Sequence, residues 1–217
     1  MAETALLTEE LVRATGAASL VARAQAAVAE PRGIGFRALF ASVSRRLGAE
    51  AGSHPAAPPA LVALARPHLT LTDWTRLWLA LRALEHVAAA EHAAFVLRTY
   101  EAGEIGEQES VLRTLSLLPE PARFTETGVA ACRTNAKRVF EAIACDNPFP
   151  AAYFPELAYN QMTMKAVFVE APVARIEGLA ERRNPELLRM ARDYASERRA
   201  AGRFVPADVA LILGEAP

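Results

Sequence analysis

The chain is poor in the residues that usually announce chemistry. It has only two cysteines, Cys132 and Cys145, in 217 residues. The helical pattern around them would begin near one and end near the other, about 13 residues or about 20 Å apart, too far for a disulfide. They read as reduced thiols of a cytoplasmic protein. Neither has a neighbouring histidine or a CxxC partner, so the case for a nucleophile is weak.

Glycine is also sparse, at 11 residues. No Gly-rich phosphate loop, nucleophile elbow or Cys/His zinc cluster occurs. No apolar run approaches the roughly 18 residues of a membrane span, so no membrane insertion is expected. The first residues, "MAETALLT", lack a basic region ahead of an apolar core, which argues against a signal peptide. Neither sign of charge dominates: 24 basic and 25 acidic residues are interspersed, for a net charge of -1. That leaves no electrostatic case for nucleic acid. Of the four histidines, His86 and His92 stand six apart, about 240° around a helix, and cannot share a metal on one straight helix. Glu85 and His92 share a face, but two turns apart they make poor ligands. Neither a metal nor a cofactor is expected.

Helical periodicity is what the chain does contain. Hydrophobic residues make up 52 % of it, rich in alanine and leucine, and prolines gather in connectors. Thr8-Glu-Glu reads as a helix N-cap with first-turn acids, and Pro31 as that helix's stop. Phe36, Leu39, Phe40, Val43 and Leu47 repeat at helical spacing. Residues 49–59, "AEAGSHPAAPP", read as a flexible connector. A helix starts at Thr72-Asp73-Trp74 and continues to Gly103, with a break near Val87–Ala90. Residues 106–118 make another, and "ARFTETGVAACRTNAKRVFEAIAC" makes one long helix or two joined at Gly128. Pro155 is placed as a first helical residue, and Asn184-Pro185-Glu186 as N-cap, first-turn proline and first-turn acid. Gly202 closes that helix, and 206–213 add a last turn or two. With no alternating strand, the expectation is an all-α single domain over 1–217. About nine or ten helices would stack as antiparallel pairs, in a HEAT-like α-solenoid or a compact α-bundle.

One connector stands out, "ACDNPFPAAYFPE" at 144–156, followed by "LAYNQMTMKAVF". Asn147 precedes Pro148 and is pushed out of the α region, which ends a helix. In the following helix, Leu157, Met164 and Phe168 form one apolar stripe and Met162, Ala166 and Val169 another. Asn160 and Gln161 flank the first, with Glu156 a turn before. Such amides either tie loop backbone to the core or project into a cavity and read a polar molecule. Lys165 is either a solvated lysine or a cation serving that cavity. The preceding helix carries Thr134, Arg138 and Glu141 on one polar face, where Arg138 and Glu141 could pair. Tyr153 would want a hydroxyl partner if buried. Thr134, Arg138, Glu141, Asn147, Tyr153, Glu156, Asn160, Gln161 and Lys165 are the candidate ligand-binding residues.

The C-terminal half, about residues 105–205, resembles the EboA family. The resemblance rests on Arg133-Thr134-Asn135, Phe140-Glu141-Ala142, Asn147-Pro148, Tyr153-Phe154, Asn160-Gln161-Met162, Lys165-Ala166, Asn184-Pro185-Glu186-Leu187, Asp193-Tyr194 and Glu197-Arg198. It implies a protein encoded in bacterial or algal gene clusters beside a UbiA-like prenyltransferase, TIM-barrel proteins and an enzyme like dehydroquinate synthase. Those clusters serve secondary-metabolite production or export. Around the Asn-Pro pair the family leads one to expect a basic residue and a tyrosine; this chain has Asp146 and Phe149.

Two functions are compatible with these residues. One is a non-catalytic accessory protein that binds a pathway intermediate or a partner enzyme of such a cluster. The other is an enzyme acting on a small polar sugar- or cyclitol-derived metabolite between helices 133–144 and 155–169. There Glu141 or Glu156 would be the acid/base, Arg138 and Lys165 would hold anionic groups, and Asn160 and Gln161 would orient hydroxyls.

Overall fold

The computed structural model describes residues 5, 9, 10, 12, 13, 18–54 and 68–215. The proposed cap at Thr8 and residues 55–59 of the connector lie outside them. All regular structure in the described residues is helical, with no strand. The chain divides into two compact units, Met1–Thr127 and Gly128–Pro217.

In the first unit, α1 (Ala18–Ala29) buries Leu20, Val21, Ala24 and Val28, one helical stripe, and ends before Pro31. Helix α2 (Ile34–Leu47) buries Phe36, Leu39, Phe40 and Val43, the stripe read from the sequence. A 3-10 turn over Gly48–Gly52 occupies the start of the expected connector. Helix α3 (Leu71–Leu84) is the centre of this unit: twelve of its 14 residues are buried. It begins one residue ahead of expectation, because Thr70 rather than Thr72 caps it. The Asp73 N–H donates to Thr70 Oγ1 at 3.2 Å, and the Thr70 N–H donates to Asp73 Oδ2 at 3.0 Å. This reciprocal box satisfies two helix-end donors.

The expected break after α3 is present, and it carries a 3-10 turn at Ala89–Glu91 before α4 (His92–Glu101). Buried His92 braces it. Its Nε2 lies 3.1 Å from the Leu84 carbonyl and 3.0 Å from that of Val87, so this nitrogen must carry the proton. Helix α5 (Ile105–Thr114) then packs on α3 and α4 and passes into a 3-10 turn, Leu115–Leu117.

Helix α6 (Thr125–Ala131) runs through Gly128 without a break. The segment is therefore neither one long helix nor two joined at Gly128: the joint lies at residues 132–136, ahead of α7 (Lys137–Ala144). Gly128 serves close packing instead. A Cβ there would sit 2.8 Å from the Phe154 ring and 3.0 Å from that of Phe149.

In the second unit the proline-rich connector is not a plain turn. It folds into a short helix, α8 (Phe149–Tyr153), that buries Phe149. Helix α9 (Glu156–Phe168) follows, with Pro155 just outside it. The expected stripe of Leu157, Met164 and Phe168 does not hold, since Leu157 is 61 % and Phe168 64 % exposed. The buried side carries Tyr159, Asn160, Met162, Thr163, Met164, Ala166 and Val167. After α10 (Leu179–Arg182), α11 (Pro185–Ala200) opens as expected: Asn184 Oδ1 accepts from the Leu187 N–H at 2.9 Å. Gly202 follows with φ +64, and α12 (Asp208–Leu213) packs back on α11.

Candidate functional site

Within the second unit, Asn160 is fully buried and its amide faces that of Asn184. Asn160 Nδ2 donates to Asn184 Oδ1 at 3.1 Å, and Asn184 Nδ2 donates back to Asn160 Oδ1 at 2.9 Å. Asn184 Nδ2 also reaches the Arg182 carbonyl at 3.0 Å. The pair thus joins α9 to the start of α11. Next to it, the Tyr159 hydroxyl donates to the Glu177 carbonyl at 3.0 Å, and Arg182 lies over its ring. Burial pushes that hydroxyl up to about 12, against the opposing field of Arg182.

Lys165 donates to the carbonyls of Cys132 and Thr134 at 2.6 and 2.7 Å, and its ammonium lies 5.3 Å from the Phe140 ring centre. Those carbonyls follow the C-terminus of α6, where a cation is favoured. The Thr134 hydroxyl accepts from the Ala136 N–H at 3.1 Å. Asn147 is buried and donates to the Ala142 carbonyl at 2.9 Å while accepting from the Phe149 N–H at 3.0 Å, which closes the turn. Tyr153 is half-buried with its ring centre 5.0 Å from that of Phe149. Arg138, Glu156 and Gln161 are exposed. Glu141 faces Lys137 at 3.9 Å. The structure therefore joins Thr134 to Lys165, and gives Asn147 and Asn160 partners in backbone or a second amide.

Asp146, where the family leads one to expect a basic residue, adopts a left-handed φ of +50. Its carboxylate pairs with Arg175, and its N–H donates to the Arg175 carbonyl at 2.8 Å. Burial pushes the Cys132 thiol up to about 12 and Cys145 up to about 11. Both are free and protonated at neutral pH, unlike reactive cysteines.

Two features of the first unit were not anticipated. One is a buried polar network around Arg76, only 3 % exposed. Its Nε donates to the Phe40 carbonyl at 3.2 Å, and its Nη1 to the Gly106 carbonyl at 2.6 Å and to Ser110 Oγ at 3.0 Å. Ser110 in turn donates to Asp73 Oδ1 at 2.6 Å. Glu107 lies 3.4 Å from the Arg76 guanidinium, and Arg113 lies 3.5 Å from buried Asp73. Burial pulls the Arg76 guanidinium below its usual value, opposed by Glu107, Asp73 and Glu109. The network ties α2, α3 and α5 together. A signal was available: in a helix as apolar all round as α3, every polar residue needs a partner.

The other feature is an open cleft of about 850 Å³ lined by α2, α4 and the start of α5. Phe36, Phe40 and Phe95 form its base, with ring centres 5.7 Å (Phe36–Phe40) and 5.5 Å (Phe36–Phe95) apart. Exposed Ile34, Ala38, Ala41 and Ala102 line its sides, and Arg32, Arg37, Arg98, Glu101 and Glu107 its margin. Its volume falls within the range of metabolite pockets, roughly 300–1,000 Å³. Among the described residues, no group of three His, Cys, Asp or Glu side chains could hold a metal, and no helix is long and apolar enough to cross a membrane.

By fold, the chain is an all-α protein with a cleft in its first unit that is apolar at its base and charged at its margin. The family model described as "Metabolite traffic protein EboA" matches residues 18–214, nearly the whole chain, and the protein belongs to the EboA family. No curated protein and no solved structure gives a significant match.

Proposed function

We propose that this protein is a non-catalytic accessory component of a secondary-metabolite pathway. In the cytoplasm it binds a pathway intermediate in the cleft between α2 and α4 and passes it to a cluster-encoded enzyme or exporter. The cleft is the observation that carries the reading, because its volume and its apolar base with a charged margin suit a metabolite. The family's description as a metabolite traffic protein is consistent with carriage rather than conversion.

The partners of Lys165, Asn147 and Asn160 favour a structural role for these residues. A lysine already held by two carbonyls is poorly placed to receive a substrate anion. The enzyme reading, which asks this set to converge on a polar substrate, has less support.

The test is native mass spectrometry of the full chain incubated with metabolite extract from its own producer cells. Ala41→Trp, at an exposed position on the cleft wall, should fill the cleft without disturbing the core. Bound small molecules should be present on the unaltered protein and at least tenfold depleted on Ala41→Trp. Equal loading of both would refute the assignment.

A further inference from the structure

The charges around the cleft narrow the class of ligand, on the reading that the cleft is the metabolite site. Three arginines and two glutamates line it. Arg32 is held by Glu91 at 2.5 Å. Glu107 accepts from the Glu104 N–H at 2.8 Å and faces Arg76. Subtracting those engaged groups leaves Arg37, Arg98 and Glu101. Among the described residues, neither Arg37 nor Arg98 has a salt-bridge or side-chain hydrogen-bond partner. Arg37 projects from α2 and Arg98 from the last turn of α4, so the two come from different walls.

The apolar part is open and built mostly of small side chains. The exposed apolar side chains lining it along α2 are Ile34, Ala38 and Ala41, and the end of α4 contributes Ala102 and Gly103. Alanine and glycine on both sides leave room above the base, whose rings are only 1–4 % exposed, so a ligand meets mainly the aliphatic walls. Arginine presents a planar fork that matches carboxylate and phosphate oxygens and also stacks on rings.

We infer that the cleft takes an apolar metabolite that bears a carboxylate or phosphate, with the anion held between Arg37 and Arg98. The neutral residues select the body and the two guanidinium groups select the charge. The anion anchors the ligand at the margin, which leaves it accessible to a receiving protein.

The test uses matched probes on the full chain: 2-naphthoate and the neutral 2-naphthylmethanol, titrated by calorimetry at about 50 mM salt. Three variants accompany them: Arg37→Gln/Arg98→Gln, both positions being exposed, Ala41→Trp, and Arg45→Gln as a charge control outside the cleft lining. The inference expects 2-naphthoate to bind about tenfold or more tightly than the alcohol. That margin should vanish in Arg37→Gln/Arg98→Gln while the alcohol's affinity and the effect of Arg45→Gln stay flat. Ala41→Trp should weaken both ring probes. Equal affinity for acid and alcohol, or an unchanged margin in the double variant, overturns the charge assignment. If Ala41→Trp affects neither probe, the cleft itself is not the site and the proposed function fails with it.

Discussion

Asn160 and Asn184 hold each other through two reciprocal amide hydrogen bonds, 3.1 and 2.9 Å long, across 24 positions of sequence. Asn184 is at the same time the N-cap of α11. One side chain therefore starts a helix and fastens it to α9. Asn160→Ala strands a buried amide and should cost about 2 kcal/mol, since an unsatisfied buried group costs about 1–3. Asn184→Ala should cost more, because the cap is lost as well. Urea denaturation of both single variants and the double should give a coupling of about 1–2 kcal/mol. Additive losses would mean that the pair does not act as a unit.

Lys165 satisfies carbonyls that α6 leaves open at its C-terminus. Replacing it with methionine keeps the stem and removes the ammonium, and should destabilise the protein by about 1–3 kcal/mol. Hydrogen exchange should rise first at residues 132–136. A Lys165→Met variant with unchanged stability but lost ligand binding would instead place this lysine in a site.

Gly128→Ala separates a helix break from a close approach. Alanine is the better helix former by about 1 kcal/mol, so an unpacked position would gain stability. The Cβ would meet Phe154 at 2.8 Å and Phe149 at 3.0 Å. Overpacking of that kind costs about 1–3 kcal/mol. A net loss in the denaturation midpoint is expected, and Phe154→Leu should recover part of it.

Alkaline pH should weaken the fold through Cys132, Cys145 and Tyr159. Burial raises all three above their ordinary values, to about 12, 11 and 12. The unfolded chain then releases these protons at lower pH than the native one. Their contribution is intact below the ordinary thiol value of 9.0 and is lost as pH rises toward 11 and 12. The urea midpoint should fall between about pH 9 and about pH 10.5. Cys132→Ala/Cys145→Ala should show a shallower fall over that range; an identical slope would remove the thiols from the account.

Where local chemistry marks an element, the sequence was readable. Asn184-Pro185-Glu186, Pro31, Gly202 and the break after Leu84 lie where capping and proline rules put them. Asn147 closes its turn as a residue before proline should. At Gly128 the sequence leaves a break and an unbroken helix open, because a glycine within a helix pattern signals either a break or a close contact, and only the facing rings decide. Leu157 and Phe168 were misread because α9 has apolar residues on more than one side, and spacing does not say which side is covered. The Arg76 network joins Asp73 to Ser110, 37 positions apart, and no local pattern reports such a pairing. The cleft was invisible for the same reason: Arg37 and Arg98 belong to different helices.

The most direct test of metabolite binding by the first unit is amide chemical-shift mapping of the full chain titrated with 2-naphthoate. The account predicts saturable shifts clustered at Phe36, Arg37, Ala38, Ala41, Arg98 and Ala102. Shifts clustered instead between Thr134 and Lys165, with the cleft residues unmoved, would contradict it.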